Sequence, residues 1–517
     1  GFTSVVDDRD PLGSPFPYVD ISEGNIEFGS EQFSTANLLE QKILTFTNNF
    51  SLYKGRHTIT IGTHNEYYDM NNVFIRQNFG SYRYNTLADF FADLDGGSGL
   101  ATQYDRSYSL VDNTTGDNTE AAAAFKAMQI GLYVQDEFQV TDKLKLTGGL
   151  RIDIPMFLDD PVEDTYFNNT TVDLIEAAGY DLKGARAGQA PDAQVLFSPR
   201  IGFNYDVKGD QSTQLRGGIG VFTSRIPYVW PGAMYNNNGL TVGGVRAELA
   251  DGDNINFVSN PFNQPSISDF GGTDAIPQGQ MDLFASDFKY PQVLRTSIAV
   301  DQKLPWWGLI GTVEAIYTKN INAIFYENLN VAPATETLEG TPDDRPVFNN
   351  PDIDNTYTAI YLGSNTSEGY SYNLSASITK PFDNGLTANV AYSFGRAEAI
   401  FEGTSSQNSS QWRGVYSLNG RNNATLGRSD FDVASRVLAS VSYKKEYLNN
   451  FATTISLFYN GQSGSPFSYT YNEDVTGEDS RERALIYVPA SQSEIVFADA
   501  GTANAQWAAL DAYISND

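Results

Sequence analysis

The chain contains no cysteine, which excludes disulfides and thiolate metal sites. Histidine is nearly missing too: His57 and His64 are the only two, too few for histidine-based metal chemistry. Basic residues are scarce, with Lys+Arg 33 against Asp+Glu 63 and a net charge of −30. A chain so negative repels phosphate backbones, which argues against a nucleic-acid partner. No stretch approaches the roughly 18 consecutive apolar residues of a membrane helix. The mean hydropathy of −0.34 resembles that of a soluble protein, but strands that alternate apolar and polar residues hide their apolar half in such an average. The opening residues, GFTSVVDDRDPLG, are polar and turn-rich rather than a signal peptide, as expected of a processed precursor or an internal segment.

Rings and glycine are what the chain has in plenty, with 30 Tyr, 32 Phe and 45 Gly. That mixture suits many short strands, tight turns and an aromatic belt. Residues 371–394, SYNLSASITKPFDNGLTANVAYSF, show how the strands are written. Tyr372, Leu374, Ala376 and Ile378 alternate with Ser371, Asn373, Ser375 and Ser377. After Pro-Phe-Asp-Asn-Gly, Ala388, Val390, Tyr392 and Phe394 alternate with Thr387, Asn389, Ala391 and Ser393. A strict period of two marks a strand with one apolar and one wet face, and the pair reads as an antiparallel hairpin. The apolar face would meet a second sheet in a soluble sandwich, and lipid in an outer-membrane barrel.

This hairpin pattern occurs six times, with short turns at Lys54–His57, Thr141–Lys143, Lys208–Ser212, Pro305–Gly308, Pro381–Gly385 and about Glu446–Asn450. The flanking runs of about ten residues match a strand tilted across a bilayer. The connections between hairpins are long, at 79–127, 158–197, 224–290, 325–368 and 400–434. Short turns at one end and long loops at the other are the asymmetry of an outer-membrane barrel, its turns periplasmic and its loops extracellular. The reading is therefore all-β, an antiparallel up-and-down transmembrane β-barrel. Its loops are acidic (95–99, 111–120, 248–254) and carry short helical patches at 86–94, 171–179 and 504–514. The last patch has no Lys or Arg for lipid headgroups, so it reads as a helix on the barrel mouth rather than a membrane anchor.

Splitting the strands by parity yields candidate contact residues. Leu144, Leu146, Leu150, Ile152 and Ile154 share one face, and Lys145, Thr147, Arg151 and Asp153 share the other. The same sorting puts Arg200, Asp206, Arg216 and Arg295 on polar faces. Charges of both signs do not belong in a packed sandwich core, but they suit a lumen. Arg151, Asp153, Arg200, Asp206, Arg216 and Arg295 are thus expected to meet a passing solute or a plug. The plainer alternative is a cross-strand network that stiffens the wall. Asp136 falls with Leu132, Val134 and Phe138 on the apolar face, where a site near the turn makes a charge cheap. In RIPYVWPGAMYNNNG (225–239), Tyr228, Trp230 and Tyr235 would either stack on a peptide or glycan or fold the loop upon itself.

Other motifs carry less. Asp93/Asp95 and Asp352/Asp354 resemble fragments of a calcium loop but lack the spacing to a glutamate, so solvated acidic loops are the better reading and no cofactor is expected. RGGIG (216–220) lies in a strand with no following helix and is no nucleotide motif. No Ser-His-Asp or paired-carboxylate arrangement appears, and an enzyme is not expected.

Several stretches together resemble the barrel of Oar-like TonB-dependent receptors. They are FSTANLLEQKILTFTNNFSLYKGRHTITIGTHNEYYDMNNVFIRQNFGSYRY (33–84), LYVQDEF with GGLRIDIPMF (132–157), SPRIGFNYDV with LRGGIGVFTSRIPYVWPG (198–232), YNGQSGSPFSYTY (459–471) and WAALDAYISND (507–517). The resemblance runs from about residue 20 to the end. It implies a 22-stranded barrel of which this is a segment, a plug, and import driven through TonB by the proton-motive force. No plug and no TonB box are recognisable here. About 12 strands are expected over 41–460, with 461–517 an extracellular loop region carrying a short helix. The expected function is energised import of a bulky solute across the outer membrane of a Gram-negative bacterium. The rivals are a passive channel, an adhesin barrel and, further off, a soluble glycan-binding β-protein.

Overall fold

The computed structural model describes residues 15–96, 99–112, 118–270, 279–339, 342–348, 352–447, 451–471, 475–478 and 483–516. Parts of the expected loops 95–99 and 111–120, and the tip of the expected turn at Glu446–Asn450, lie outside the described residues. Twelve strands form one antiparallel wall in chain order: β1 (Asn37–Lys54), β2 (His57–Phe74), β3 (Ala123–Gln139), β4 (Leu144–Phe157), β5 (Leu196–Asp206), β6 (Thr213–Thr223), β7 (Gln292–Lys303), β8 (Ile310–Asn328), β9 (Tyr370–Pro381), β10 (Leu386–Ala399), β11 (Ser435–Tyr447) and β12 (Phe451–Gln462). Each short turn of the sequence reading joins one hairpin. Among the described residues no pairing joins β1 to β12, so the wall stays open.

Register turns the period of two into two surfaces. Phe138, Leu146, Phe203, Gly217, Ile298, Ala315, Leu374 and Phe394 are paired residue to residue, making one uncharged row across eight strands. On the opposite face, Lys145, Asn204, Arg216, Ala299, Glu314, Ser375, Ser393 and Arg436 make a second row. Leu374 is 50% exposed and Leu457 74%, yet both are large and apolar. Only a hydrocarbon solvent makes such a surface favourable. Asp136 does lie on this apolar face. It accepts a 2.7 Å hydrogen bond from His57, whose ring stacks on Phe138 beside the β1–β2 turn.

The long connections fold back over the other face. Toward the loop end that face changes from charged to aromatic: Tyr68, Phe125 and Phe157 share a core with Trp230, Met234 and Tyr235 of the 225–239 loop. Trp412, of the helical turn Asn408–Arg413, lies fully buried in the same cluster. Replacing such a tryptophan by alanine removes about 3–5 kcal/mol of packing. Strand Tyr357–Thr366 pairs with the upper end of β8 and, in parallel, with Gly279–Phe284, extending the wall inward.

A smaller five-stranded sheet stands beside this cluster, in the order Val242–Glu248, Gln103–Ser109, Ser81–Tyr84, Tyr18–Ile21, Ile26–Phe28. Val19, Ile21, Tyr82, Tyr84, Tyr104 and Ala247 are buried on one side, under Phe90 of the helix Leu87–Gly96. The Thr86 hydroxyl caps that helix by accepting from the Asp89 amide at 3.1 Å. The terminal helix Ala503–Asn516 is mostly exposed. Tyr513 reaches Tyr469 at 2.7 Å, so it touches the mouth by an edge instead of lying flat upon it.

The two surfaces are separable by substitution. Leu374→Arg should destabilise the barrel by about 2–4 kcal/mol if it faces mid-bilayer, while Ser375→Arg, opposite Glu314 on the inner face, should be tolerated. Urea unfolding in lipid vesicles reads both. Equal losses at the two positions would refute the assignment of faces.

Candidate functional site

The inner face of β3–β8 is where the expected contact residues fall. Pairing puts Arg151, Asp153, Arg200, Asp206, Arg216 and Arg295 on one surface of neighbouring strands. Their surroundings then divide them. Arg151 grips Asp153 through Nε at 3.0 and 2.9 Å and Nη2 at 2.7 Å, and Gln129 adds a 3.1 Å bond to the same carboxylate. Asp153 is only 2% exposed, so this pair is structural. Arg216 spans two strands, meeting Asp301 and Glu314 at 3.0 Å each. Asp206 instead receives the backbone amides of Gly209 and Gln211 at 2.8 Å each. It caps its own turn, and that local task takes it out of the contact group. Arg200 and Arg295 remain exposed.

Tyr228, Trp230 and Tyr235 do not form an open platform. Tyr235 stacks on Phe125 with centroids 4.5 Å apart, and Tyr228 leans on Tyr68 at 4.6 Å. The Trp230 indole donates to the Ser405 carbonyl at 2.7 Å, and the Tyr235 hydroxyl to that of Asp159 at 2.6 Å. Burial drives Tyr235 well above the ordinary phenol range and Tyr228 to about 12, so both stay neutral, and the Tyr228 oxygen accepts from the Tyr290 hydroxyl at 3.0 Å. Of the two readings left open by the sequence, the loop folding onto protein is the one observed. The rings seat the loop on the wall through these contacts, while Pro227 and Pro231 fix two of its φ angles.

Two carboxylates that the sequence reading passed over organise the site. Glu66, only 5% exposed, takes Arg225 at 2.5 Å and the Tyr68 hydroxyl at 2.7 Å, with His64 at 3.4 Å. It latches the start of the 225–239 loop to β2. Its inner-face parity within HNEYYDM was the available signal. Asp282, 1% exposed, gathers Gln280 at 2.6 Å, Asn237 at 2.7 Å and Asn408 at 3.0 Å. It thereby ties together three segments, 225–239, 279–284 and 408–413. Nothing local in MDLFAS announces it.

One carboxylate of each suspected calcium fragment is held by a hydroxyl of the protein. Asp93 accepts from the Tyr84 hydroxyl at 2.7 Å and Asp354 from Thr171 at 2.6 Å. Among the described residues no group of three or more His, Asp or Glu side chains gathers as a metal site.

The family model of the outer membrane beta barrel domain matches residues 1–516. No curated protein matches the chain. Among solved structures it is similar to the outer membrane transporter YddB from Escherichia coli, at 10% identity and a TM-score of 0.41, over 78% of this chain and 40% of that one. It is also similar to the FrpB iron transporter from Neisseria meningitidis, at 11% identity and TM-score 0.42, over 82% and 44%. A third is a point mutant of the ferric enterobactin receptor PfeA from Pseudomonas aeruginosa, at 12% and 0.40, over 87% and 43%. The chain thus spans less than half the length of these structures.

Asp282 makes the loop cluster sensitive to pH. Burial raises its carboxyl from 3.8 to about 6, against three amide donors and Arg76 that pull the other way. The folded state holds the proton more tightly than the unfolded one, so its stabilisation is complete below about pH 4 and is lost as pH rises through about 6. Two units correspond to about 3 kcal/mol at most. Hydrogen exchange of residues 225–239 should therefore quicken between pH 4 and 6.5, after correction for intrinsic rates, and Asp282→Asn should remove that extra slope. An identical slope in the variant would exclude Asp282 as its source.

Proposed function

This chain belongs to the outer membrane beta barrel domain family and lies in the Gram-negative outer membrane; from that premise we propose that it forms the wall of an Oar-like, TonB-dependent receptor importing a bulky solute. The observation that carries this reading is the contrast along the inner face. Its lower part is charged, as a path for polar cargo must be. Its mouth is occupied by loops that meet around Trp230, Trp412 and Asp282. A passive channel has no use for a mouth filled by its own core, whereas a receptor needs one that yields when cargo and energy arrive. In this proposal TonB acts through a plug carried elsewhere in the protein, and the loops and inner wall make the first contacts with solute. The part 41–460 serves as wall and 461–517 as loop region. No catalytic role is assigned to any group.

The test separates energised import from passive flow. In a strain lacking the gene, uptake of at least one member of a panel of labelled oligopeptides and oligosaccharides should fall at least tenfold. A protonophore should lower uptake in the parent strain to the same level. The purified full-length protein should give no steady ion conductance in a planar bilayer. Uptake that survives the protonophore, together with an open conductance, would establish the passive channel instead.

A further inference from the structure

Among the described residues Arg200 and Arg295 lack the carboxylate partner that neighbouring cations of the inner wall have. Arg151 holds Asp153, Arg216 holds Asp301 and Glu314, and Lys145 holds Glu137 at 3.1 Å. Arg200 and Arg295 have no carboxylate partner among the described residues, although the chain carries 63 acidic side chains. Register puts them in one row: Arg200 faces Gly220 across β5–β6, and Gly220 faces Arg295 across β6–β7. One strand lies between them, so their backbones are on the order of 10 Å apart. Two arginine side chains can close that gap on one solute.

The row is shaped as well as charged. The Arg200 guanidinium lies over the Phe222 ring, 4.4 Å from its centroid. A Cβ at position 220 would stand 3.0 Å from Arg200 Cγ and 3.3 Å from Phe222 Cε2, so glycine keeps that stack unhindered. Stacking occupies the flat face of a guanidinium and leaves its in-plane N–H donors free, the edge that grips an oxyanion in bidentate fashion. Arg295 spends Nε on the Thr318 hydroxyl at 3.2 Å, which orients the group without neutralising it. Among the described residues Arg436, on β11 and four strands further along, has no carboxylate partner either, but donates to Asn460 at 2.9 Å.

We propose that Arg200 and Arg295, flanking Gly220 on the inner wall, form a binding site for a solute bearing carboxylate or phosphate groups. This rests on reading the inner face as the solute's path and names the chemical class of the cargo. Asp153, the carboxylate whose field reaches Arg200, is already held by Arg151, so exposed guanidiniums outside any ion pair leave an electrostatic position that an incoming oxyanion fills. An acidic loop surface does not oppose it, because fields between exposed charges fade within about 10 Å at ordinary salt.

Calorimetric titration of the detergent-solubilised full-length protein with inorganic pyrophosphate, and separately with citrate, tests the site. At least one should bind saturably and weaken as salt rises. Arg200→Gln and Arg295→Gln should each weaken binding at least fivefold, the double variant should abolish it, and Arg295→Lys should recover part. Arg436→Gln is the control and should change little. Retained heat-modifiable mobility in gels shows that each variant is folded. Absence of binding by the parent protein, or unchanged binding by a folded double variant, overturns the proposal. Failure of the transport reading looks different: anion binding would be present and arginine-dependent, while deleting the gene left uptake unaltered.

Discussion

Within hydrocarbon there is no water to satisfy a backbone amide, so each N–H and C=O must find its partner in a neighbouring strand. Much else in this chain is a consequence. Pairing must be continuous, which gives twelve strands in simple succession, each bonded to its chain neighbours. Continuous pairing fixes register, and register fixes which side chains go outward, since a slip of one residue would exchange the two faces. The uncharged row from Phe138 to Phe394 and the charged row from Lys145 to Arg436 are two readings of that one constraint.

The inner face is freer, because water or protein can meet it, and the chain uses that freedom differently along its height. Low on the wall, cation–carboxylate pairs such as Arg216 with Asp301 and Glu314 satisfy each other across strands. Higher up, rings replace charges, and Tyr68, Phe125 and Phe157 present an apolar seat for the 225–239 loop. The boundary between the two is marked by Glu66, a buried carboxylate that receives Arg225 from the loop and a hydroxyl from the wall. The loop cluster is thus an extension of the wall's own core.

The wall was legible in the sequence because its information is local. Leu374, Ala376 and Ile378 declare their face by spacing alone, and Pro-Phe-Asp-Asn-Gly declares the turn within five residues. The inner face of Arg151, Arg200 and Arg216 followed from the same parity. The five-stranded side sheet was not legible: Tyr18–Ile21 pairs with Ser81–Tyr84, and Gln103–Ser109 with Val242–Glu248, over separations that no spacing records. Its strands are also too short to establish a period. Asp206 misled because parity reports direction and says nothing of a neighbouring turn's free amides. Asp282 stayed hidden because two of its three amide donors, Asn237 and Asn408, come from segments far away in sequence. The aromatic loop was ambiguous for the same reason, as its rings find their partners on β2, β3 and β4.

Surface loops are usually the place where a protein accepts inserted sequence, since little is buried there. Here that expectation reverses. An epitope or fluorophore site spliced into 225–239 or 408–413 would enter a packed interior and part Trp230 and Trp412 from their neighbours. Room exists at the opposite end: Gly55, in the two-residue turn between β1 and β2, has φ +61° and meets no atom within 4 Å where a side chain would begin. Anyone wishing to tag this molecule without parting its packed loops should therefore work from the end of the short turns.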